Sequence, residues 1–204
     1  MDNDYIVVDD FCEDIDAVIH SAKAAGFGTW KPNKGKVGSS VYEGIGFYGS
    51  HAPMLKSVIG AMGKVIVPNT VFFRLTNEGF EKAYIHSDRE AGNYTCVAYL
   101  SDHETSSGTA FFRHKPTGLL HMPSFAEMQE MGIEEQMIED MVSRDPDVWE
   151  QVGYVEGQKN RAVIFKAPLF HSRHPVEGIG TDDTDGRLVW VSHFYCLNGR
   201  GELL

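Results

Sequence analysis

His86, Ser87 and Asp88, with His171 far downstream and Arg187 sixteen positions beyond it, are the residues whose types and spacing carry chemistry in this 204-residue chain. A His and an Asp two apart on an extended segment point to the same face. A third ligand from a distant strand closes the triangle. Two imidazoles and one carboxylate around a ferrous ion leave coordination positions open for oxygen chemistry. A guanidinium close by suits an acidic co-substrate, because its planar fork matches a carboxylate. His174 and His193 are rivals for the third ligand; His174 faces away from His171 if that segment is extended. The triplet alone has little weight. With 9 His and 29 acidic residues in the chain, chance supplies roughly one His-x-Asp/Glu match. Its specificity comes from the surrounding elements.

Those elements are read from periodicity. Residues 5–9 are a short strand, and Asp14 caps a helix carrying Ile15, Val18, Ile19 and Ala22, ended by Gly26 and Gly28. Residues 31–40 are Gly/Lys/Ser-rich and predict a loop. A second helix is expected over about 53–63, stopped by Gly63. The pattern then changes to strands at 70–75, 84–88, 94–100, 109–113 after the turn signal Ser106-Ser107-Gly108, 161–166 and 187–196. Two helices followed by many strands predict a helix-backed β-sandwich or barrel. One segment interrupts the series. Residues 124–143 place Phe125, Met128, Met131, Ile133, Met137, Ile138 and Met141 at helical spacing, as two short helices around Gly132. They pack Met onto the barrel, or form a lid or partner-binding surface.

Composition narrows the function classes. The length fits one domain with a real core. A formal net charge of -11 argues against a nucleic-acid partner and makes a neutral or basic substrate easier to accommodate. No apolar run is long enough to span a bilayer, and the start lacks a signal-peptide pattern, so no membrane association is expected. Cys12, Cys96 and Cys196 are scattered and predict free core thiols in a reducing cytoplasm. Arg113, His114 and Lys115 form a basic cluster, read as a solvated strand end or a point of substrate recognition. Trp190 is expected in the core. Asp182, Asp183 and Asp185 lack the EF-hand pattern and predict a solvated acidic loop within 178–185.

Taken in order, these stretches resemble the Fe(II)/2-oxoglutarate-dependent oxygenases, in particular the prolyl-hydroxylase-like branch. Phe73-Arg74-Leu75 and Lys82 to Asp88 look like the strand leading into the family's HxD. Tyr94 to Ser101 is similar to its strand ending in YLN, and Ser107 to Phe111 to its GG-x-L-x-F strand. Ala162 to Phe165 followed by His171 to Val176 resembles an apolar strand and H-x-V-x-P-V; Gly186-Arg187-Leu188 resembles G-R-Y. The resemblance implies a single domain over 1–204 of α+β class. Its fold would be a double-stranded β-helix (a jelly-roll or cupin-like barrel) backed by N-terminal helices, with a helical insertion around 119–158. It implies that His86, Asp88 and His171 hold Fe(II), that Arg187 pairs with the distal carboxylate of 2-oxoglutarate, and that the Tyr99 phenol assists. O2 is the second co-substrate; succinate and CO2 are released as a peptide or protein side chain, or a small molecule, is hydroxylated. A homodimer through the Met-rich insertion is compatible. Two other classes remain open: a cupin-like metalloenzyme that does not use 2-oxoglutarate, and a non-catalytic β-barrel binding module. The chain departs from the family pattern in the long gap from His171 to Arg187, in the enlarged segment between the runs at 109–113 and 161–166, and in His193, which stands where an aromatic residue is common.

Overall fold

The computed structural model describes residues 4–25, 40–42, 48–76, 84–102, 107–141, 145–176, 178–180, 185–198 and 200–203. Nine strands and four α-helices alternate along them: β1 (Tyr5–Val8), α1 (Ile15–Ala25), β2 (Ser40–Tyr42), α2 (Tyr48–Met62), β3 (Val65–Thr76), β4 (Tyr94–Tyr99), β5 (Gly108–His114), α3 (Phe125–Met131), α4 (Glu134–Met141), β6 (Trp149–Glu156), β7 (Ala162–Lys166), β8 (His171–His174) and β9 (Arg187–Leu197). All named pairings are antiparallel. They form a six-stranded sheet in the order β1-β7-β4-β9-β3-β2 and a three-stranded sheet in the order β6-β5-β8. No described helix is long and apolar enough to cross a membrane.

Side-chain alternation divides the large sheet between two cores. From β3, β4 and β9, the residues Phe73, Leu75, Cys96, Ala98, Leu188, Trp190, Phe194 and Cys196 join Ile15, Val18 and Ala22 of α1 and Met54 and Val58 of α2. The other face of β4 and β9 gives Val97, Tyr99, Val189 and Val191 to a second cluster, with Phe111 of β5, Val155 of β6 and Val163 and Phe165 of β7. This second layer joins the two sheets, and the candidate site lies in it. A third cluster packs Met128 and Met137 of the helical segment on Ile85, Trp149 and Phe170. Trp190 is in the core, fully buried, and its indole N–H donates to His51 Nδ1 of α2 at 2.9 Å. Cys12, Cys96 and Cys196 are unpaired and buried.

Several boundaries differ from expectation for physical reasons. Helix α2 starts at Tyr48 and carries Pro53 inside it; Pro at a helix start is the commoner pattern, and that pattern places the boundary too late. Gly63 does end the helix, at φ 59°, the left-handed conformation that favours glycine. The run at 70–75 is the second half of a 12-residue strand, because β3 pairs with β9 along its whole length. Residues 84–88 are not a ladder strand: His86 makes one isolated antiparallel bridge to His171. Strand β2 begins at Ser40, the last residue of the expected loop, and pairs with β3. The expected insertion over 119–158 is helical only in α3 and α4, and β6 within it pairs with β5. The turn glycines Gly26 and Gly28, most of the loop at 31–40, Ser106, and Asp182 and Asp183 of the acidic loop lie outside the described residues.

Candidate metal centre

The His86–Asp88 segment is tied to the start of β8 by backbone bonds. His86 N donates to His171 O, and His171 N donates to His86 O, both at 2.9 Å. Two residues later Asp88 N donates to Ala167 O at 2.9 Å. These bonds bring the two rings to 4.3 Å between centroids. Each ring is then fixed by its own stretch of backbone: His86 Nδ1 bonds Tyr84 O and His171 Nδ1 bonds Leu169 O, each at 2.9 Å. A carbonyl oxygen only accepts, so Nδ1 carries the proton and Nε2 presents its lone pair inward. This is how metal-ligating histidines are oriented. His86 Nε2 lies 3.8 Å from Asp88 Oδ1, and His171 Nε2 lies 3.3 Å from Asp88 Oδ2. One donor atom from each residue falls within 4.8 Å of the others. The donor set of two neutral imidazoles and a carboxylate, with Nδ1 tethers, fits a divalent transition metal.

Electrostatics put Asp88 and His86 in their ligating charge states and favour a proton on His171, which a bound metal would displace. Burial pushes the Asp88 carboxyl up, but His171, followed by His86 and His193, outweighs it and holds the group far below the ordinary carboxylate range. Burial first, then the His171 charge, lowers His86 to about 4; its side chain is 45 % exposed, so water moderates that shift. Burial acts against the His171 proton, yet the Asp88 charge and hydrogen bond prevail and raise it. Thr95 Oγ1 donates to Asp88 Oδ2 at 2.9 Å and also contacts His193 Nδ1 at 3.1 Å.

Beside these residues lies a cavity of about 330 Å³ between the sheets. Arg187 lines it from the start of β9, and Val189, Val191 and His193 follow on the same face. Arg187 is buried, and its Nε has no hydrogen-bond partner among the described residues. Its Nη2 donates to Gly108 O at 3.3 Å, and its guanidinium carbon stands 5.6 Å from the centre of the Tyr99 ring. A Cβ at Gly108 would overlap the Val155 carbonyl, so only glycine lets β5 approach here. Burial lowers the Arg187 pKa to about 10. Tyr99 is fully buried beneath Arg187, with its hydroxyl bonded to Thr109 Oγ1 at 2.8 Å rather than lining the cavity. His174 stacks edge-on to Tyr154 and does not join the set.

The basic cluster splits between a solvated strand end and a buried anchor. His114 is buried, with Nε2 on Asp140 Oδ2 at 2.9 Å and Nδ1 on Thr117 Oγ1 at 2.8 Å. Arg113 pairs with Glu150 at the surface, and Lys115 donates to Pro146 O. Arg113 and Lys115 are exposed, as a solvated strand end would be, whereas the buried His114 anchors α4; none of the three lines the cavity. Arg74, Arg173 and Thr109 do line the cavity, and sequence reasoning missed them. The signal was present for both arginines. Arg74 sits between two core residues, Phe73 and Leu75, so its side chain takes the opposite face. Arg173 is two positions from His171 and shares its face.

A model of the family of unknown function DUF6445 matches residues 80–194, more than half of the chain. The chain belongs to this family. The match includes His86, Asp88, His171 and Arg187. No curated protein matches the sequence of this DUF6445 member. Its fold is shared with solved non-heme enzymes at low identity. The α-ketoglutarate-dependent epimerase SnoN from nogalamycin biosynthesis superposes with a TM-score of 0.58 at 13% identity, covering 95% of this chain and 79% of that one. HygX from Streptomyces hygroscopicus, solved with nickel and 2-oxoglutarate bound, gives 0.59 at 10% identity over 95% and 83%. The α-ketoglutarate-dependent carbocyclase SnoK gives 0.56 at 12% identity over 98% and 88%.

Proposed function

We propose that this protein is an Fe(II)- and 2-oxoglutarate-dependent oxygenase, of the prolyl-hydroxylase-like branch, built on a double-stranded β-helix. The observation that carries the reading is the pair of Nδ1-tethered imidazoles converging with Asp88, next to a buried guanidinium with an unsatisfied Nε. Two facing antiparallel sheets with the cavity between them support the barrel. Similar folds solved with nickel or iron bound, and with 2-oxoglutarate, support the cofactors.

His86, Asp88 and His171 would hold the iron, and Arg187 would hold the far carboxylate of 2-oxoglutarate. The metal, when bound, supplies oxygen activation for oxidising a substrate C–H as 2-oxoglutarate is converted to succinate and CO2. The chain's own residues do the positioning. Thr95 fixes the orientation of Asp88 by bonding one carboxylate oxygen. Gly108 and Tyr99 seat the Arg187 fork; Tyr99 thereby serves the co-substrate through Arg187. Phe72, Val97, Val189 and Val191 give the cavity apolar walls that keep water from the reacting centre. The cavity is at the small end of ligand sites, which suits a peptide side chain or a small molecule. The test is succinate formation from 2-oxoglutarate by purified protein with added ferrous iron. Oxygen-dependent turnover is expected. Neither turnover nor iron-dependent 2-oxoglutarate binding would reject the reading.

A further inference from the structure

We propose that His193 recognises the substrate of this site: its Nε2 accepts a hydrogen bond from a neutral O–H or N–H donor that the substrate carries. The proposal rests on the oxygenase reading above and names the chemistry the substrate must present. His193 lies on β9 opposite Thr95 of β4, and it continues the cavity-lining face of Arg187, Val189 and Val191. Three histidines line the cavity. His86 and His171 belong to the metal set, and His193 does not. Its Nδ1 stands 3.7 Å from Asp88 Oδ2, so the ring is next to the metal centre. A group that meets His193 therefore belongs to the part of the substrate nearest that centre.

A chain of hydrogen bonds sets which nitrogen of His193 is protonated. The Thr95 hydroxyl has one proton, and Thr95 Oγ1 donates it to Asp88 Oδ2 at 2.9 Å, since a charged carboxylate is the stronger acceptor of its two partners. Toward His193 Nδ1, 3.1 Å away, the Thr95 oxygen is left to accept, so Nδ1 carries the ring proton. The other nitrogen of a neutral imidazole is then an acceptor only. Nε2 has no hydrogen-bond partner among the described residues, and it is not among the polar atoms sealed from solvent. Its neighbours on the wall are apolar: the Phe72 ring is 6.0 Å from the imidazole, and Val97 and Val191 adjoin them. Water satisfies the lone pair until a substrate fills the cavity. A substrate without a donor there leaves the nitrogen unpaired, which is unfavourable; an O–H or N–H restores the bond. The apolar wall selects by shape, and the single nitrogen in it selects for the donor.

The test uses nuclear magnetic resonance on protein with nitrogen-15-labelled histidine, loaded with 2-oxoglutarate and with zinc as a diamagnetic stand-in for iron. It is run at pH 8, above the ordinary histidine pKa of about 6.5. The His193 signals are those missing from His193→Phe. A proton on Nδ1 is expected in wild type; a proton on Nε2 instead would overturn the proposal. Cyclohexanol and cyclohexanone then serve as probes of matched size, the first able to donate and the second only to accept. Cyclohexanol is expected to bind at least tenfold tighter and to move the Nε2 resonance. His193→Phe is expected to weaken cyclohexanol at least tenfold, and to leave cyclohexanone and 2-oxoglutarate affinities within threefold of wild type. His193→Leu replaces that variant if it does not fold. Equal affinity for the two probes, no measurable binding of cyclohexanol, or a preference for cyclohexanol that survives in His193→Phe would overturn the proposal. Wild-type protein that binds no 2-oxoglutarate at all would instead reject the oxygenase reading; the tautomer measurement and both titrations, repeated with zinc alone, would still test His193.

Discussion

His86 and His171 are oriented by one device used twice, a ring N–H given to the carbonyl two residues earlier. At this scale the sequence was most informative. The HxD spacing, the distant His and the Arg were all visible, and the structure brings their side chains into one cavity wall. What hid Arg74 and Arg173 was context: an arginine inside an apolar strand looks like a surface position until the partner face is known. The fork geometry of Arg187 gives a specific expectation. Arg187→Met should weaken 2-oxoglutarate binding by about 2–5 kcal/mol, roughly 30-fold or more, since it removes a buried, charge-assisted partner. Arg187→Lys should recover little of it, because a point charge cannot replace the bidentate fork. Equilibrium binding of 2-oxoglutarate to metal-loaded variants measures both.

Elements with long β-branched and aromatic runs were legible, as in β4 and β9, where most residues of both faces are buried. Those whose pairing partner supplies the order were not. In β6, Gly153 and a register shift opposite Phe111 and Phe112 break the alternation, and β5 provides the ladder that the sequence of β6 does not announce. The first half of β3 is largely exposed, so it lacks an apolar signal. Helix α2 is joined to β9 by the Trp190–His51 bond, and His51 also stacks on Phe73 at 5.0 Å. Burial lowers the His51 pKa, and its Nδ1 must stay unprotonated to accept from Trp190. The unfolded chain therefore binds more protons than the fold as pH drops below the ordinary histidine value of about 6.5. Stability should fall with pH from there down through the folded pKa. His51→Gln, which can keep an acceptor for the indole, should flatten that slope in melting temperatures measured across the window.

On the scale of the whole molecule, the site bridges the two sheets. His171 comes from the three-stranded sheet, Arg187 from the six-stranded one, and the His86–Asp88 segment bonds to β8 and to the β7–β8 connection. Ligands that engage all of them should hold the layers together. At 100 times the dissociation constant, binding adds about 2.7 kcal/mol. For a domain of this size that is a rise in melting temperature of roughly 5–11 °C. Manganese with 2-oxoglutarate should produce it in wild type, and Asp88→Ala should abolish it. A shift of the same size in Asp88→Ala would place the ligands elsewhere. The helix-backed β architecture was legible from the order of helices and strands. The meeting of β8 with the His86 segment was not, because it depends on a single bridge between residues 85 positions apart in sequence.

The most direct measurement of the central claim is anaerobic equilibrium dialysis of ferrous iron and 2-oxoglutarate against wild type and Asp88→Ala. Wild type should bind one iron and, only with iron present, one 2-oxoglutarate. Asp88→Ala should lose iron affinity by more than the roughly 100-fold seen when only a ligand's supporting partner is removed, and 2-oxoglutarate with it. Iron held equally well by the variant, or 2-oxoglutarate bound equally well without iron, would contradict the assignment of His86, Asp88 and His171 as the metal centre.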